Sequence, residues 1–306
     1  MQFEVKILGA NSANPVYNRF QTAQLLHIEP YHFLIDCGEA TQHQLLKYKC
    51  KLTKIDYIFI SHLHGDHYLG LVGLLSTMHL QGRTKEMYLF GPSGLDEIIT
   101  LQMKLSETIL NYPIIFTELD ATKISTILDL DKLTVETIPL QHRIPCCGFL
   151  FKEKPKKRRI IKEKFPPKGS LAHMAMLKQG QDVFDEKGTL IYKNSEYTLP
   201  ARKSRSYAFC SDTILKNDNS TQLQNVDLLY HEATFLHDMV NRAKQTFHTT
   251  ALEAAQFANL CNAKNLIIGH FSSRYRDLEP LLIEAKSEFP QTQLGIEGQD
   301  YEIEEE

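Results

Sequence analysis

No run in this 306-residue chain approaches the ~18 consecutive apolar residues that a membrane-spanning helix needs. The opening residues, MQFEVKILG, alternate apolar and polar like a strand, and they lack the basic start and long apolar core of a signal peptide. Export is therefore not expected, and a cytoplasmic protein without membrane association is. The six cysteines, at 37, 50, 146, 147, 210 and 261, include no C-x-x-C pair and are too sparse for a disulfide-stapled secreted scaffold. Adjacent residues point different ways, so Cys146 and Cys147 read as small buried side chains rather than a chelating pair. Internal repeats and long low-complexity tracts are lacking too, and an apolar share of 42% excludes wholesale disorder. What remains is a globular chain of one large domain or two small ones.

The formal charge of −3 conceals an uneven distribution. Residues 152–203 hold 14 basic and 6 acidic side chains, a net +8, whereas the remainder holds 20 and 31, a net −11. The run KEKPKKRRIIKEK at 152–164 alone carries eight basic residues against two acidic ones. A charge run by itself is most simply a solvated loop. A basic insertion in an acidic body instead favours a polyanion-binding element.

Elsewhere short apolar runs alternate with helical periodicity. The pattern predicts strands at FEVKIL, AQLLHI, HFLID, YIFIS, MYLFG, LTVETIPL, SYAFCS, DLLYH and NLIIG. It predicts helices over 39–48, 69–80, 93–110, 236–244, 249–260 and 278–288. Buried strands with helices outside imply a layered α/β domain.

Five of these runs lead directly into residues that bind metals or move protons. YIFIS precedes His62, ETIPLQ precedes His142, SYAFCS precedes Asp212, DLLYH ends at His231 beside Glu232, and NLIIG precedes His270. Strand ends can converge on one rim of a sheet, where rigid backbone fixes ligand geometry. The densest element, SHLHGDH, places His62, His64, Asp66 and His67 within six residues. Four such donors crowd a single ion, so His62 and His64 are expected to face one cation, and Asp66 and His67 another. His142, Asp212 and His270 would complete the two sets.

The H-x-H-x-D-H motif is that of the metallo-β-lactamase fold, and the chain resembles the ribonuclease Z family, the tRNA 3′-processing endonucleases, along almost its whole length. The matching segments run in family order: LGANSANP, SHLHGDH followed by GLVGLL, LFGPSGL at 89–95, His142, SDT at 211–213, HEATF at 231–235, HTTALEAA at 248–255 and GHFSSRY at 269–275. The resemblance implies an αββα sandwich of two mixed sheets packed face to face with helices outside. It implies one domain over 1–306, interrupted by an inserted basic substrate-binding arm at 152–203. It also implies two zinc ions, with manganese as an alternative. His62, His64, His142 and Asp212 would hold the first, and Asp66, His67, Asp212 and His270 the second. Asp66 would be the base. His248, paired with Glu232, would protonate the departing ribose 3′-oxygen; read from the residues alone, His248 is equally an ordinary residue beside a helix start.

Two departures from the family pattern stand out. Where the family commonly has P-x-K-x-R-N, this chain has Pro15-Val16-Tyr17-Asn18-Arg19-Phe20, which keeps Pro15 and Arg19 but loses Lys and Asn. The resemblance thus carries cleavage without carrying discrimination around the CCA end. The family's arm is often rich in Gly and Pro, and here it is basic. Lys156, Lys157, Arg158 and Arg159 are candidate phosphate contacts, giving affinity without sequence reading. Arg274, four residues after His270, is a phosphate contact or a surface ion pair. A homodimer is expected from the family, with precursor tRNA as partner. The competing readings are a same-fold hydrolase of a small phosphodiester or ester, and a non-catalytic RNA-binding module with structural metal.

Overall fold

Alternating burial explains the first sheet. In the computed structural model, which describes residues 2–166 and 169–305, β1 (Phe3–Gly9), β2 (Ala23–Ile28), β3 (Tyr31–Ile35), β4 (Tyr57–Phe59), β5 (Met87–Gly91) and β6 (Ile114–Glu118) line up in one sheet. Phe3, Val5, Leu26, Phe33, Phe59 and Phe90 face the central core, while their alternates Leu25, Leu34, Ile58 and Leu89 join an outer core. That outer core is closed by α1 (Thr41–Lys47), α3 (Leu71–Leu80) and α4 (Leu95–Leu105), which contribute Leu45, Leu74, Leu75, Met78 and Ile99. The single turn α2 (Gly65–Tyr68) precedes α3.

The second sheet contains β7 (Thr126–Asp129), β8 (Leu133–Pro139) and β9 (Cys147–Glu153). After β9 the chain leaves the sheet for a small excursion of β10 (Arg159–Ile160), α5 (Leu171–Lys178), β11 (Val183–Phe184), β12 (Leu190–Tyr192), α6 (Asn194–Tyr197) and β13 (Thr198–Leu199). It returns through β14 (Ser206–Cys210), which pairs antiparallel with β9, matching Phe151 to Tyr207. Then come β15 (Leu228–Glu232), α7 (Val240–Thr246), α8 (Ala251–Leu260), β16 (Asn265–Gly269), α9 (Glu279–Glu288), β17 (Thr292–Leu294) and β18 (Asp300–Glu302). β18 crosses to pair with β1, giving two mixed sheets of seven strands each. Phenylalanines interdigitate between them: Phe59 meets Phe149 at 5.2 Å and Phe33 meets Phe151 at 5.3 Å. Each such buried ring contributes roughly 1.5–3 kcal/mol. α8 and α9 seal the far face through Ala251, Ala254, Ala258, Leu281 and Ala285. The expected αββα sandwich is the architecture found.

Several boundaries differ from the sequence reading. The helix expected to reach Leu110 stops at Leu105, because Glu107 takes a left-handed φ of 50° and the Thr108 and Glu107 N–H groups bond back to Met103 and Lys104 carbonyls. The helix expected from 249 begins at Ala251, where Thr250 and Glu253 cap each other's backbone reciprocally.

Topology now places the site. β3, β4 and β5 run parallel in one sheet, and β14, β15 and β16 in the other. Their C-terminal ends deliver Asp36, His62, Asp212, Glu232 and His270.

Candidate metal centre

Seven side chains meet there. His62, His64, His142 and Asp212 form one group, and Asp66, His67 and His270 another; within each, candidate ligand atoms lie within 4.8 Å of one another. Asp212 stands between the groups. Its Oδ2 is 3.6 Å from both His62 Nε2 and His142 Nε2, and its Oδ1 is 3.3 Å from His67 Nε2 and 3.1 Å from His270 Nε2. His64 Nδ1 lies 3.0 Å from the Nε2 atoms of His62 and His142. Ligands on a tetrahedral zinc with bonds near 2.05 Å are about 3.3 Å apart. The spacing therefore suits a shared cation.

Four imidazoles are held by the nitrogen that faces away from this centre. His62 Nδ1 lies 3.0 Å from Ser61 Oγ, His67 Nδ1 lies 2.7 Å from Asp36 Oδ2, His142 Nδ1 lies 3.0 Å from the Phe247 carbonyl, and His270 Nδ1 lies 3.0 Å from Thr234 Oγ1. Such outer partners fix ring orientation and leave Nε2 lone pairs converging. The Nε2 atoms of His67 and His270 are buried and make no hydrogen bond. Buried nitrogens without partners are costly in a finished fold, and they fit metal ligation. Asp36 and His270 both sit at left-handed φ, 55° and 57°. Non-glycine residues held there cost on the order of 1–3 kcal/mol each and cluster at functional sites.

Asp36 was not among the expected site residues. Fully buried, it accepts from Ser61 N–H and Oγ as well as orienting His67. Its one sequence signal is the end of the HFLID run. Thr234 was also missed: its hydroxyl lies within reach of Glu232 (2.7 Å) and His270 (3.0 Å).

Electrostatics follow from the crowding. Burial opposes ionisation of Asp66 and Asp212, but the neighbouring His67 and His270 outweigh it and hold both carboxyls well below the usual range. Burial drives His62 well down and His142 to about 4. His248 goes the other way. Burial opposes its charged form, yet the Glu232 carboxylate, 2.9 Å from Nδ1, lifts it to about 9. Glu232 is buried and also accepts from Thr213 N–H at 3.0 Å and Thr234 N–H at 3.1 Å.

Other expected residues fall elsewhere. His231 turns away from the centre, bonded to the Glu232 carbonyl at 2.7 Å and packed 5.4 Å from the Phe257 ring. This follows from strand alternation, since its neighbour Glu232 points inward. Lys156 is engaged in ion pairs with Glu153 and Glu305 at 2.8 and 2.7 Å, and Arg158 donates to Thr198 Oγ1 at 2.8 Å. Lys157 and Arg159 are exposed; with Lys162 and Lys178 they line a cleft of about 470 Å³ on the excursion. Arg19 donates to the Tyr275 carbonyl. Arg274 is exposed, stacks 5.7 Å above the Phe235 ring, and has no carboxylate partner among the described residues.

A family model described as Anti-Pycsar protein Apyc1 matches residues 3–160, a span that ends before Asp212, Glu232, His248 and His270. Over nearly its full length the chain is 54% identical to a Ribonuclease Z of Cytophaga hutchinsonii, covering 99% of this chain and 97% of that one. The chain belongs to the ribonuclease Z family. A Ribonuclease Z of Bacteroides fragilis is 45% identical, with 97% and 98% covered. Among solved structures, the short form of human tRNase Z (ELAC1) superposes with a TM-score of 0.72 at 28% identity, covering 98% of this chain and 99% of that one. The metallo-β-lactamase fold protein YhfI of Bacillus subtilis shares the fold, with a TM-score of 0.69 at 17% identity over 99% and 100% of the two chains.

Proposed function

We propose that this chain is a metal-dependent endoribonuclease that removes the 3′ trailer from precursor tRNA, leaving a 3′-hydroxyl on the tRNA and a 5′-phosphate on the trailer. The observation that carries the reading is a ligand cluster for two ions standing beside a separate carboxylate–imidazole pair, Glu232 and His248. His62, His64, His142 and Asp212 would hold one Zn²⁺, and Asp66, His67, Asp212 and His270 a second; Mn²⁺ accepts the same donors. When bound, such cations lower the pKa of water and offset negative charge gathering on phosphate.

The chain's own residues supply the proton traffic. Asp66 Oδ2, steadied by the Ala13 N–H at 2.8 Å, takes a proton from the attacking water. As the bond from phosphorus to the ribose 3′-oxygen breaks, His248 delivers a proton to that oxygen, its ring held by Glu232. The exposed cations Lys157 and Arg159 of the 152–203 arm, together with Arg19 and Arg274, would contact tRNA phosphates. A homodimer would follow from the family resemblance. No helix among the described residues is long and apolar enough to cross a membrane. A precursor-tRNA substrate would suit a cytoplasmic protein.

The test is metal analysis together with cleavage of precursor tRNA and of bis(p-nitrophenyl) phosphate by the wild type and Asp212→Ala. About two metal equivalents per wild-type chain and loss of cleavage in the variant are expected. Hydrolysis of the small diester by a wild type that leaves tRNA intact would favour a small-phosphodiester hydrolase instead.

A further inference from the structure

The loop from Asn11 to Phe20 is tied at both ends. Near its start Ala13 N–H donates to Asp66 Oδ2, and Asn11 bridges to Phe271. At its end Phe20 N–H donates to Glu297 Oε1 at 2.5 Å, and the other carboxylate oxygen accepts from Gln44 Nε2 at 3.1 Å. Gln44 is itself fixed by a bond to the Leu8 carbonyl at 2.7 Å. Glu297 lies between β17 and β18, more than 270 residues from the loop in sequence, and pairs with no cation within salt-bridge distance among the described residues. Its oxygens serve a backbone N–H and an amide.

The loop is closed internally by Asn11 N–H to the Phe20 carbonyl at 2.9 Å and by the Val16 and Arg19 pair, and it carries backbone strain. Ala13, Tyr17 and Asn18 all take left-handed φ values, 55°, 54° and 59°, which side chains other than glycine adopt at a cost. Arg19, between the anchors, stacks 5.3 Å over the Tyr17 ring and carries a buried Nε without a hydrogen-bond partner. Arg19 and Glu297 share a cleft of about 220 Å³ with Lys47 and Tyr48.

We propose that Glu297 is a positioning residue that fixes the 11–20 loop, and Arg19 with it, against the metal centre, and so sets how the tRNA 3′ end is seated. The seating rests on the tRNA-processing reading; the hold on the loop does not. Substrate contacts carried on strained loops lose affinity when the supporting contacts go. A lost bond from a backbone N–H to a carboxyl oxygen corresponds to on the order of tenfold in an equilibrium constant.

The experiment compares wild type, Glu297→Ala and Glu297→Gln in three readouts: hydrogen exchange of the 11–20 amides, KM and kcat on precursor tRNA, and hydrolysis of bis(p-nitrophenyl) phosphate. Glu297→Ala should expose the loop amides near Phe20 to faster exchange, raise KM for tRNA about tenfold and lower small-diester hydrolysis much less than tRNA cleavage, because the Ala13 anchor on Asp66 lies at the other end of the loop. Glu297→Gln keeps an oxygen for Phe20 N–H and should recover most of the KM. Unchanged loop exchange in Glu297→Ala, an unchanged tRNA KM, equal losses on both substrates, or no rescue by Gln would overturn the proposal. A wild type inert on tRNA would remove the proposed function instead, while loop exchange still decides whether Glu297 holds the loop.

Discussion

His248 Nδ1 sits 2.9 Å from Oε1 of a fully buried Glu232, whose carboxylate also accepts hydrogen bonds from the neutral donors of Thr213 and Thr234. The carboxylate thus holds one imidazole while staying outside the two ligand groups. His248 does lie close to Asp212 and His270, which together form a third set of mutually near donors. Proton donation and ligation therefore have to be separated by experiment.

Substituting His248 by Ala should leave metal content and tRNA affinity nearly intact and slow the chemical step by roughly 100- to 10,000-fold, the usual worth of general acid catalysis. Glu232→Gln should slow the same step. Because the two act as a unit, the double variant should lose much less than the product of the single losses. Single-turnover cleavage with metal measured in each variant decides it. Loss of metal in His248→Ala, or losses that multiply, would make His248 a ligand or an independent group.

Asp36 orients His67 from behind, so Asp36→Ala should weaken metal binding without removing a ligand. Outer partners of this kind are typically worth 10- to 100-fold in affinity. A chelator competition titration reads the change directly. Affinity equal to wild type would mean that His67 is held without Asp36.

Deleting 152–203 and closing the gap should abolish tRNA cleavage while slow hydrolysis of bis(p-nitrophenyl) phosphate survives. The excursion has its own small core of Phe165, Leu177 and Val183, and after the cut Phe149 to Phe151 of β9 still pair with β14, although Lys152 and Glu153 of that strand go with the segment. Reversing the charge of Lys157 and Arg159 should flatten the salt dependence of tRNA affinity, whereas altering Lys156 should act through its ion pairs with Glu153 and Glu305. Equal loss on both substrates after the deletion would assign the segment to stability.

Burial raises the Glu297 carboxyl from 4.5 to about 7, against the opposing pull of Phe20 N–H, Lys47, Gln44 and Arg19. The fold favours its protonated form. Its contribution to stability is therefore fully present below about 4.5 and declines as pH rises through about 7. Glu297→Gln has no proton to lose there, so the Tm of the variant relative to wild type should improve over that window. A difference in Tm that stays flat with pH would contradict the burial effect.

How far the site could be read from the sequence depended on what each residue does. His62, Asp212 and His270 follow buried apolar runs, and the spacing of SHLHGDH has few bland explanations, so the cluster was visible. Asp36 and Thr234 were not, because a buried polar residue shows its role only through partners distant in the chain, and the Phe247 carbonyl and Ala13 N–H carry no side-chain signature at all. Strand β9 was missed for a related reason. Its residues Cys147 to Phe151 are buried on both faces, which erases the alternation that marked β1. Charge counting marks 152–203 as basic but cannot tell that Lys156 is engaged by carboxylates while Lys157 is exposed.

The most direct test of the metal-dependent ribonuclease reading is cleavage of a precursor tRNA by chelator-stripped protein before and after Zn²⁺ is restored, with both product ends mapped. The stripped protein should be inactive, and restored protein should yield tRNA with a 3′-hydroxyl and a trailer with a 5′-phosphate. Cleavage that persists after stripping, or restored protein that leaves the tRNA whole, would contradict it.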